Sequence, residues 1–576
     1  MPESRLASLV VKQRGLVLIL ALFVLAAGLR VWHLGVESVW QDEATSVEIA
    51  RDSPADVVLD ATTDVHPPLY YLALHFWMRL TGDSERAVRA LSVLFSLLAI
   101  AALIAFAARW FDRPTALVAG FLAAISLQQI AFAQEARMYA LLTLTAVLSI
   151  DAFLCVVRHG TRRALAGYVA ATSAMLYTHA YAGFVVAGQA LWLAGALAAS
   201  TSHRSQLWRR GLLAFGLTAL VFLPWVPAFL AQLYRVERAF WIQGQATLAS
   251  AVEAEAGSSL LAWVLGPLAA TALLVSVVRS RRETREATAS MAAATLCAAT
   301  IACVIGLPFG LSRVSRPIFL PKYTIAASLA FVTLAARGLV LLPARALRGC
   351  ALIGIVALTV VPLRSYFTIR HKDDWRDIVA QVERAAEPGD LVVFSQAFGV
   401  EPFHYYARRT DLVELPFLET SEGLTTRSVN VFAGVVVRPY DRVWLVLSDP
   451  DWTTDAVIRN LRGYREAIDD SGGGVKARLF VRQGAPPKTH IAHSPIRPPQ
   501  SGIRSFTNCP ISAIALLPPN ETDVERRRVP APNVDVSGER RKPRLANLDV
   551  VLALGESHEQ LVGRAPRSPA LAVNQD

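Results

Sequence analysis

Apolar runs long enough to cross a bilayer constrain the fold of this chain more than any other feature of its sequence. A membrane-spanning helix needs roughly 20 predominantly apolar residues, and about eleven runs meet that requirement. They lie near residues 14–34, 90–108, 114–133, 138–157, 164–180, 182–199, 211–232, 259–278, 288–308, 317–336 and 346–363. The sequence therefore predicts a mainly α-helical, polytopic membrane bundle over residues 1–363.

Composition and loop charge agree with this prediction. Hydrophobic residues make up 53% of the chain and charged residues only 18%. The net charge of +11 does not indicate nucleic-acid binding, because many of the basic residues lie in alternate short loops, where they set topology. By this rule the N-terminus is cytoplasmic. We expect a multi-pass protein of the inner or plasma membrane, with everything after Pro362 outside the cytoplasm.

The pattern changes after residue 363. Residues 364–482 predict a small extracytoplasmic α/β domain, because helical and strand-like segments alternate there. The predicted helices are Asp374 to Ala386 and a segment near Thr454 to Leu461, and the predicted strands are Leu391–Phe394, Val443–Leu447 and Ala477–Val481. Residues 483–576 are rich in Pro and Arg and are predicted to be a disordered tail.

Unusual polar residues all fall at the predicted outer ends of the spans. The first outer loop, residues 35–89, carries Trp40-Gln41-Asp42-Glu43 and then Asp64-Val65-His66-Pro67-Pro68-Leu69-Tyr70-Tyr71. The run from Leu69 to Met78 is too short to span and predicts an interfacial helix. Further members of the set are Gln134 to Tyr139, His179, Tyr181, Lys322 and Tyr323. This one-sided clustering predicts a single polar site at the outer surface of the membrane.

Each candidate also has a simpler explanation. Asp42 fits an N-cap for a helix beginning near Ala44, and Glu43 fits a favourable charge in its first turn. Arg137 and Lys322 could extend to lipid headgroups. A lone loop histidine such as His66 is often structural, and the tyrosines fit an aromatic belt at the membrane surface.

The ordered set of motifs resembles the bacterial protein O-mannosyltransferase and aminoarabinose transferase-like family, which are integral-membrane glycosyltransferases of the GT-C class. The resemblance rests on Trp40 to Glu43, His66 to Tyr71, Glu85 with Arg86 and Arg89, and Gln134 to Tyr139. Pro321-Lys322-Tyr323 departs from the family's more usual Arg-Tyr at that place.

The resemblance implies a sugar donor linked through phosphate to a polyprenol, an acceptor hydroxyl on a protein, lipid or glycan, and an inverting single displacement. One base then suffices, because the phosphate leaves without protonation, and Asp42 is the predicted base. The other predicted site residues are Glu43 beside the base; Arg137, Lys322 and Tyr323 at the donor phosphate; and Asp64, His66, Tyr70, Tyr139 and His179 at the substrates. No metal-binding spacing is present, although a divalent metal is possible.

Two other classes of function compete with a transferase. A transporter usually has internal repeats and charges at the bilayer midplane, and the sequence shows neither. A non-catalytic receptor or scaffold for lipid-linked glycans does not explain so many carboxylates and cations in turns close to the membrane.

Overall fold

The computed structural model describes residues 2–199, 203–239, 247–280, 284–315, 318–416, 434–448, 457–472 and 474–484. The described residues up to Thr368 are mainly helical. The helices are α1 (Pro2–Val31), α2 (Gln41–Arg51), α3 (Pro54–Thr63), α4 (Leu69–Thr81), α5 (Glu85–Trp110), α6 (Arg113–Ile125), α7 (Leu127–Ala133), α8 (Tyr139–His159), α9 (Arg162–Leu176), α10 (Ala182–Ala199), α11 (Arg204–Phe222), α12 (Val226–Ala239), α13 (Leu248–Ala256), α14 (Ser259–Ser280), α15 (Arg285–Val314), α16 (Ser328–Leu341) and α17 (Arg345–Thr368). Short 3₁₀ helices, Leu223–Trp225 and Pro321–Ala327, precede α12 and α16.

The predicted membrane bundle is confirmed, although fewer helices qualify as spans than the sequence indicated. Within the described residues, eight helices are long and apolar enough to cross a membrane, and α6 with α7 makes a ninth if this pair, bent by 58°, is one span. The other two predicted runs correspond to shorter helical segments, Gly15–Val31 within α1 and Arg162–Leu176. Fewer helices qualify as spans because two of them are short and one is broken between α6 and α7. Every predicted run contains helix.

A buried arginine accompanies the break between α6 and α7. The last carbonyl groups of a helix lack partners inside that helix. The guanidinium of Arg30 donates hydrogen bonds to the carbonyls of Ala123 and Ala124 at 3.1 and 3.0 Å, and to Ser96 Oγ at 2.8 Å. The turn at residues 134–138 follows α7 and contacts the N-terminal turn of α2.

The predicted α/β segment contains one five-stranded sheet. Its elements are α18 (Trp375–Ala385), β1 (Leu391–Phe394), α19 (Val400–Tyr406), β2 (Val413–Pro416), β3 (Arg442–Ser448), β4 (Tyr464–Gly472) and β5 (Val475–Arg482). The strand order is β2-β1-β3-β5-β4, with β1 parallel to β2 and β3, and β5 antiparallel to β3 and β4. The apolar face of α18, which carries Trp375, Ile378 and Val382, packs in the same buried cluster as the sheet residues Val392 and Trp444.

The helix at 374–386 and the three predicted strands are confirmed, whereas α19, β2 and β4 were not predicted. Residues 454–456 of the predicted helix near Thr454–Leu461 lie outside the described residues, and residues 457–460 are helical. The predicted tail also lies outside the described residues, apart from residues 483 and 484. The domain boundaries proposed from the sequence stay a prediction.

The segment that follows α17 holds the first outer loop in place. Ser38 Oγ donates to Asp374 Oδ1 at 2.9 Å, and the Val39 amide donates to the Tyr406 hydroxyl at 2.6 Å. Arg376 forms a two-point ion pair with Glu85, with contacts of 3.0 and 2.5 Å. These contacts fix both ends of residues 35–89, so α2 is held from two sides.

Candidate active site

Asp42 lies in the first turn of α2. The helix begins at Gln41 after extended backbone at Trp40, so Asp42 is inside the helix and does not cap it. Its carboxylate is partly exposed, at 26% of the side-chain surface, and accepts no hydrogen bond from any residue that the structure describes. A carboxylate with open lone pairs at a protein surface is able to accept a proton from an approaching hydroxyl.

Two cations from distant parts of the chain converge on Asp42. Arg137 Nε lies 3.8 Å from Asp42 Oδ2, and Lys322 Nζ lies 3.7 Å from the same oxygen. Both distances exceed those of a hydrogen bond, so the cations neighbour the carboxylate without saturating it. Arg137 is nearly fully buried, and its Nη1 donates to the Asp42 carbonyl at 2.9 Å and to Ser46 Oγ at 3.0 Å. The structure therefore brings Asp42, the predicted base, together with Arg137 and Lys322, two of the three residues predicted at the donor phosphate.

Glu43, the neighbouring carboxylate, is fully buried and engaged on both oxygens. Arg89 donates two hydrogen bonds to it at 2.8 and 2.6 Å, the Ala136 amide donates one at 2.9 Å, and Lys372 Nζ lies 3.1 Å away. Burial by itself would raise the pKa of Glu43, but the charges of Arg89 and Lys372 and these hydrogen bonds lower it to about 2. Glu43 thus ties α2 to α5 and to the turn before α8, and we assign it a positioning role.

The Glu43 network predicts a large effect on stability. Glu43→Gln leaves Arg89 and Lys372 buried beside a neutral amide, and breaking a buried ion pair from one side costs about 3–5 kcal/mol. The matched control is Glu48→Gln on the same helix, because Glu48 pairs with Arg51 at the surface, where such pairs contribute about 0–1 kcal/mol. Thermal unfolding of the detergent-solubilised variants would compare the two, and equal midpoints would contradict the positioning role.

Two predicted histidines pack together beside the cations. The ring centroids of His66 and His179 are 4.9 Å apart, and His179 lies 5.1 Å from Tyr323 and 6.0 Å from Tyr139. Burial lowers the pKa of both imidazoles well below the ordinary value, and the charges of Arg137 and Lys322 lower it further. Both rings are therefore neutral at physiological pH.

Asp64 and Tyr70 are the remaining predicted residues, and both make structural contacts. Asp64 ends α3, and its Oδ2 accepts hydrogen bonds from the Tyr71 hydroxyl at 2.5 Å and from the His66 amide at 3.2 Å. Tyr70 is fully buried, and its hydroxyl lies 3.2 Å from Ser92 Oγ inside the bundle. Tyr70 therefore packs the core, and Asp64 orients His66.

Part of the chain matches a known protein family. Residues 65–227 match the family described as dolichyl-phosphate-mannose-protein mannosyltransferase. No curated protein gives a significant match to the sequence.

Solved structures match over most of the chain. ArnT from Cupriavidus metallidurans matches in the apo state, with TM-score 0.53 and 14% identity over 84% of this chain and 100% of that one. The same protein bound to undecaprenyl phosphate matches with TM-score 0.54 and 16% identity over 82% of this chain and 99% of that one. The chain has the GT-C glycosyltransferase fold. The oligosaccharyltransferase from Archaeoglobus fulgidus, tethered to an acceptor peptide, matches with TM-score 0.52 and 12% identity over 81% of this chain and 74% of that one. The resemblance inferred from the motifs is therefore confirmed.

Two residues of the site were missed by the sequence analysis. Lys372, in the link between α17 and α18, contacts Glu43 and also the Gln134 carbonyl at 3.3 Å. Glu135 is half-buried; burial raises its pKa to about 7, with Glu43 and Asp42 adding to the shift and the lysines opposing it. The signal for Lys372 was its position directly after the last span, and the signal for Glu135 was its place inside the quoted Gln134–Tyr139 motif.

An apolar cleft of about 770 Å³ lies between α3, α4 and α12. Its walls include Pro68, Leu69, Tyr177, Trp225 and Ala228. Pro68 and Leu69 lie two and three residues after His66 in the chain. The size and apolar character of the cleft suit a lipid chain.

Metal-binding geometry is not evident in the part of the chain that the structure describes. There, no group of three or more His, Cys, Asp or Glu side chains could hold a metal ion.

Proposed function

We propose that this protein is a membrane glycosyltransferase that moves a sugar from a polyprenyl phosphate to an acceptor hydroxyl by inverting single displacement. The observation that carries the proposal is the partly exposed carboxylate of Asp42, with open lone pairs, 3.7–3.8 Å from Lys322 and Arg137. A base and two phosphate-binding cations at one point are what such a transfer requires.

Each of these three groups has a separate role in the proposed reaction. Asp42 takes the proton of the acceptor hydroxyl as its oxygen attacks the anomeric carbon, and the bond from that carbon to the phosphate oxygen breaks. The donor phosphodiester leaves as a polyprenyl phosphate monoester, which gains a second negative charge. Arg137 and Lys322 stabilise that charge as it develops. The leaving phosphate therefore does not need a proton from a second carboxylic acid.

The apolar cleft between α3, α4 and α12 supports a lipid-linked donor. A polyprenol would lie along Pro68, Leu69 and Trp225 and so place its phosphate at the cations. The similar structure of ArnT holds undecaprenyl phosphate, and the similar oligosaccharyltransferase is tethered to an acceptor peptide. For this chain we propose a polyprenyl-phosphate sugar as donor, and a protein, lipid or glycan hydroxyl as acceptor.

Orientation and domain division belong to the same proposal. The positive charge of alternate loops places the N-terminus in the cytoplasm and the site at the extracytoplasmic surface. The α/β segment after α17 then lies on the side of the site, which agrees with its contacts to residues 35–89.

Purified protein supplied with a polyprenyl-phosphate sugar and candidate acceptors tests the proposal. A transferase releases polyprenyl phosphate in an acceptor-dependent way, which chromatography of the lipid products detects. A transporter or a receptor would leave the donor intact. Intact donor with a folded, membrane-inserted protein and a full set of peptide, lipid and glycan acceptors would contradict the proposed activity.

A further inference from the structure

Glu255 is a buried carboxyl group that the proposed reaction does not use. It lies near the end of α13, and only 3% of its surface is exposed. Thr324 Oγ1 lies 2.7 Å from Glu255 Oε1. Thr324 belongs to the same 3₁₀ helix, Pro321–Ala327, as Lys322, whose Nζ lies 3.7 Å from Asp42. Glu255 therefore contacts the segment that presents Lys322 to the site.

The hydroxyl of Thr324 has two close oxygen neighbours but only one proton to donate. Its Oγ1 lies 2.8 Å from the Pro321 carbonyl oxygen as well as 2.7 Å from Glu255 Oε1. A carbonyl oxygen only accepts, whereas a carboxyl group donates when it is protonated. Both contacts are hydrogen bonds at once if Glu255 is protonated and donates to Thr324, which then donates to Pro321. We call these three residues the Glu255 hydrogen-bond chain.

The surroundings of Glu255 favour the protonated form that this chain requires. The small cavity beside its carboxyl group is lined mainly by apolar side chains, including Leu261, Leu265 and Val332. Burial raises the pKa of Glu255 to about 8, although hydrogen bonding from Thr324 and Gln128 opposes the shift. Glu255 is therefore mainly uncharged at neutral pH and ionises as the pH rises through about 8.

Charged groups around α13 leave this preference unchanged. On the elements packed against α13, the described charged groups and the tyrosine are Lys322, Tyr323, Arg279, Glu286 and Arg313. Glu253 lies on α13 itself and is exposed. The pKa shift of Glu255 arises from burial and its two hydrogen-bonding neighbours, with no contribution from a charged group among the described residues. Its protonation therefore depends on its own buried surroundings.

The two ends of the 3₁₀ helix are held by different contacts. Its first turn carries Pro321 and Lys322 and is held to α13 by the Glu255 hydrogen-bond chain. Just beyond its last residue, Ser328 Oγ accepts a hydrogen bond from Gln129 Nε2 at 2.6 Å. Loss of the Glu255 hydrogen-bond chain should therefore act on the turn with Lys322 while the start of α16 stays anchored.

We infer that Glu255 is a positioning residue, whose protonated carboxyl group holds Lys322 in place for the donor phosphate through Thr324 and Pro321. The inference rests on the proposed function. An ionised Glu255 no longer donates, so one of the two contacts of the Thr324 hydroxyl loses its proton. The turn that carries Lys322 is then held less firmly, and the protein binds the donor phosphate more weakly.

Donor binding as a function of pH tests this positioning role. The full-length protein in detergent is titrated with a polyprenyl-phosphate sugar between about pH 6.5 and 9.5, on both sides of the Glu255 pKa. We expect the wild-type dissociation constant to rise about three- to tenfold across this range, the value of one hydrogen bond. Glu255→Gln carries an amide that donates at every pH, so it should keep the wild-type affinity of low pH and lose the rise.

Two further variants separate the Glu255 hydrogen-bond chain from other effects of pH. Thr324→Val keeps the shape of the side chain but lacks the hydroxyl, so it should weaken donor binding at low pH and flatten the pH profile. Glu253→Gln is the matched control, because Glu253 is exposed on the same helix, and it should keep the wild-type profile.

Two kinds of result would overturn the inference. A flat wild-type profile, or a rise that persists unchanged in Glu255→Gln or Thr324→Val, would overturn it while the proposed function stands. If the folded wild-type protein binds no polyprenyl-phosphate sugar at any pH, the inference and the proposed function are both overturned.

Discussion

Asp42→Asn is expected to lower turnover by about 100- to 10,000-fold, the usual contribution of a general base, which corresponds to about 2.7–5.5 kcal/mol of activation free energy. The amide has nearly the same shape as the carboxylate but does not take a proton. Donor affinity should change little, because Asp42 interacts with the acceptor hydroxyl and not with the donor phosphate. Single-turnover kinetics with labelled donor, together with equilibrium donor binding, separates these two effects.

The matched control is Asp52→Asn at the other end of α2. Asp52 is exposed and lies ten residues away, roughly 15 Å along a helix with a 1.5 Å rise per residue, so its replacement should leave turnover unchanged. Near-normal turnover of a folded, inserted Asp42→Asn protein would show that Asp42 is not the base. Glu135 would then be the next carboxylate to test, because Glu43 is fully buried and engaged on both oxygens.

The membrane helices could be predicted from sequence because they depend on a local signal. An apolar run specifies a helix by its own length. The sheet was predicted only in part for the same reason. Its central strands β1 and β3 are continuous apolar runs, whereas β4 includes Arg465, Glu466 and Asp469 and is specified by pairing with β5.

Roles inside the site depended on contacts that no local pattern encodes. Asp42 and Glu43 are neighbours in sequence, yet one is partly exposed beside two cations and the other is sealed by Arg89 and Lys372. Lys372 lies 329 residues from Glu43 in the chain, so only the folded structure shows that they meet. Tyr70 and Tyr71 likewise read as equivalent aromatic residues, but one hydroxyl meets Ser92 in the core and the other holds Asp64.

Arg137→Ala is expected to weaken donor binding as well as turnover, unlike Asp42→Asn. Its guanidinium would meet the donor phosphate in both ground and transition states, and it also holds the Asp42 carbonyl and Ser46 Oγ. Removing one group that stabilises developing negative charge costs about 100- to 1,000-fold in turnover. We expect a loss of that size, together with a higher dissociation constant for the polyprenyl-phosphate sugar.

Two further variants separate the charge of Arg137 from its structural contacts. Lys322→Met removes the second cation, whose side chain is 28% exposed whereas that of Arg137 is 6% exposed, so it should weaken donor binding while the stability of the protein changes less. Arg79→Ala on α4 is the control for a surface cation at the membrane and should change neither quantity. If Arg137→Ala lowers turnover but leaves donor affinity at the wild-type value, its guanidinium acts by holding Asp42 in place, and the phosphate contact falls to Lys322 alone.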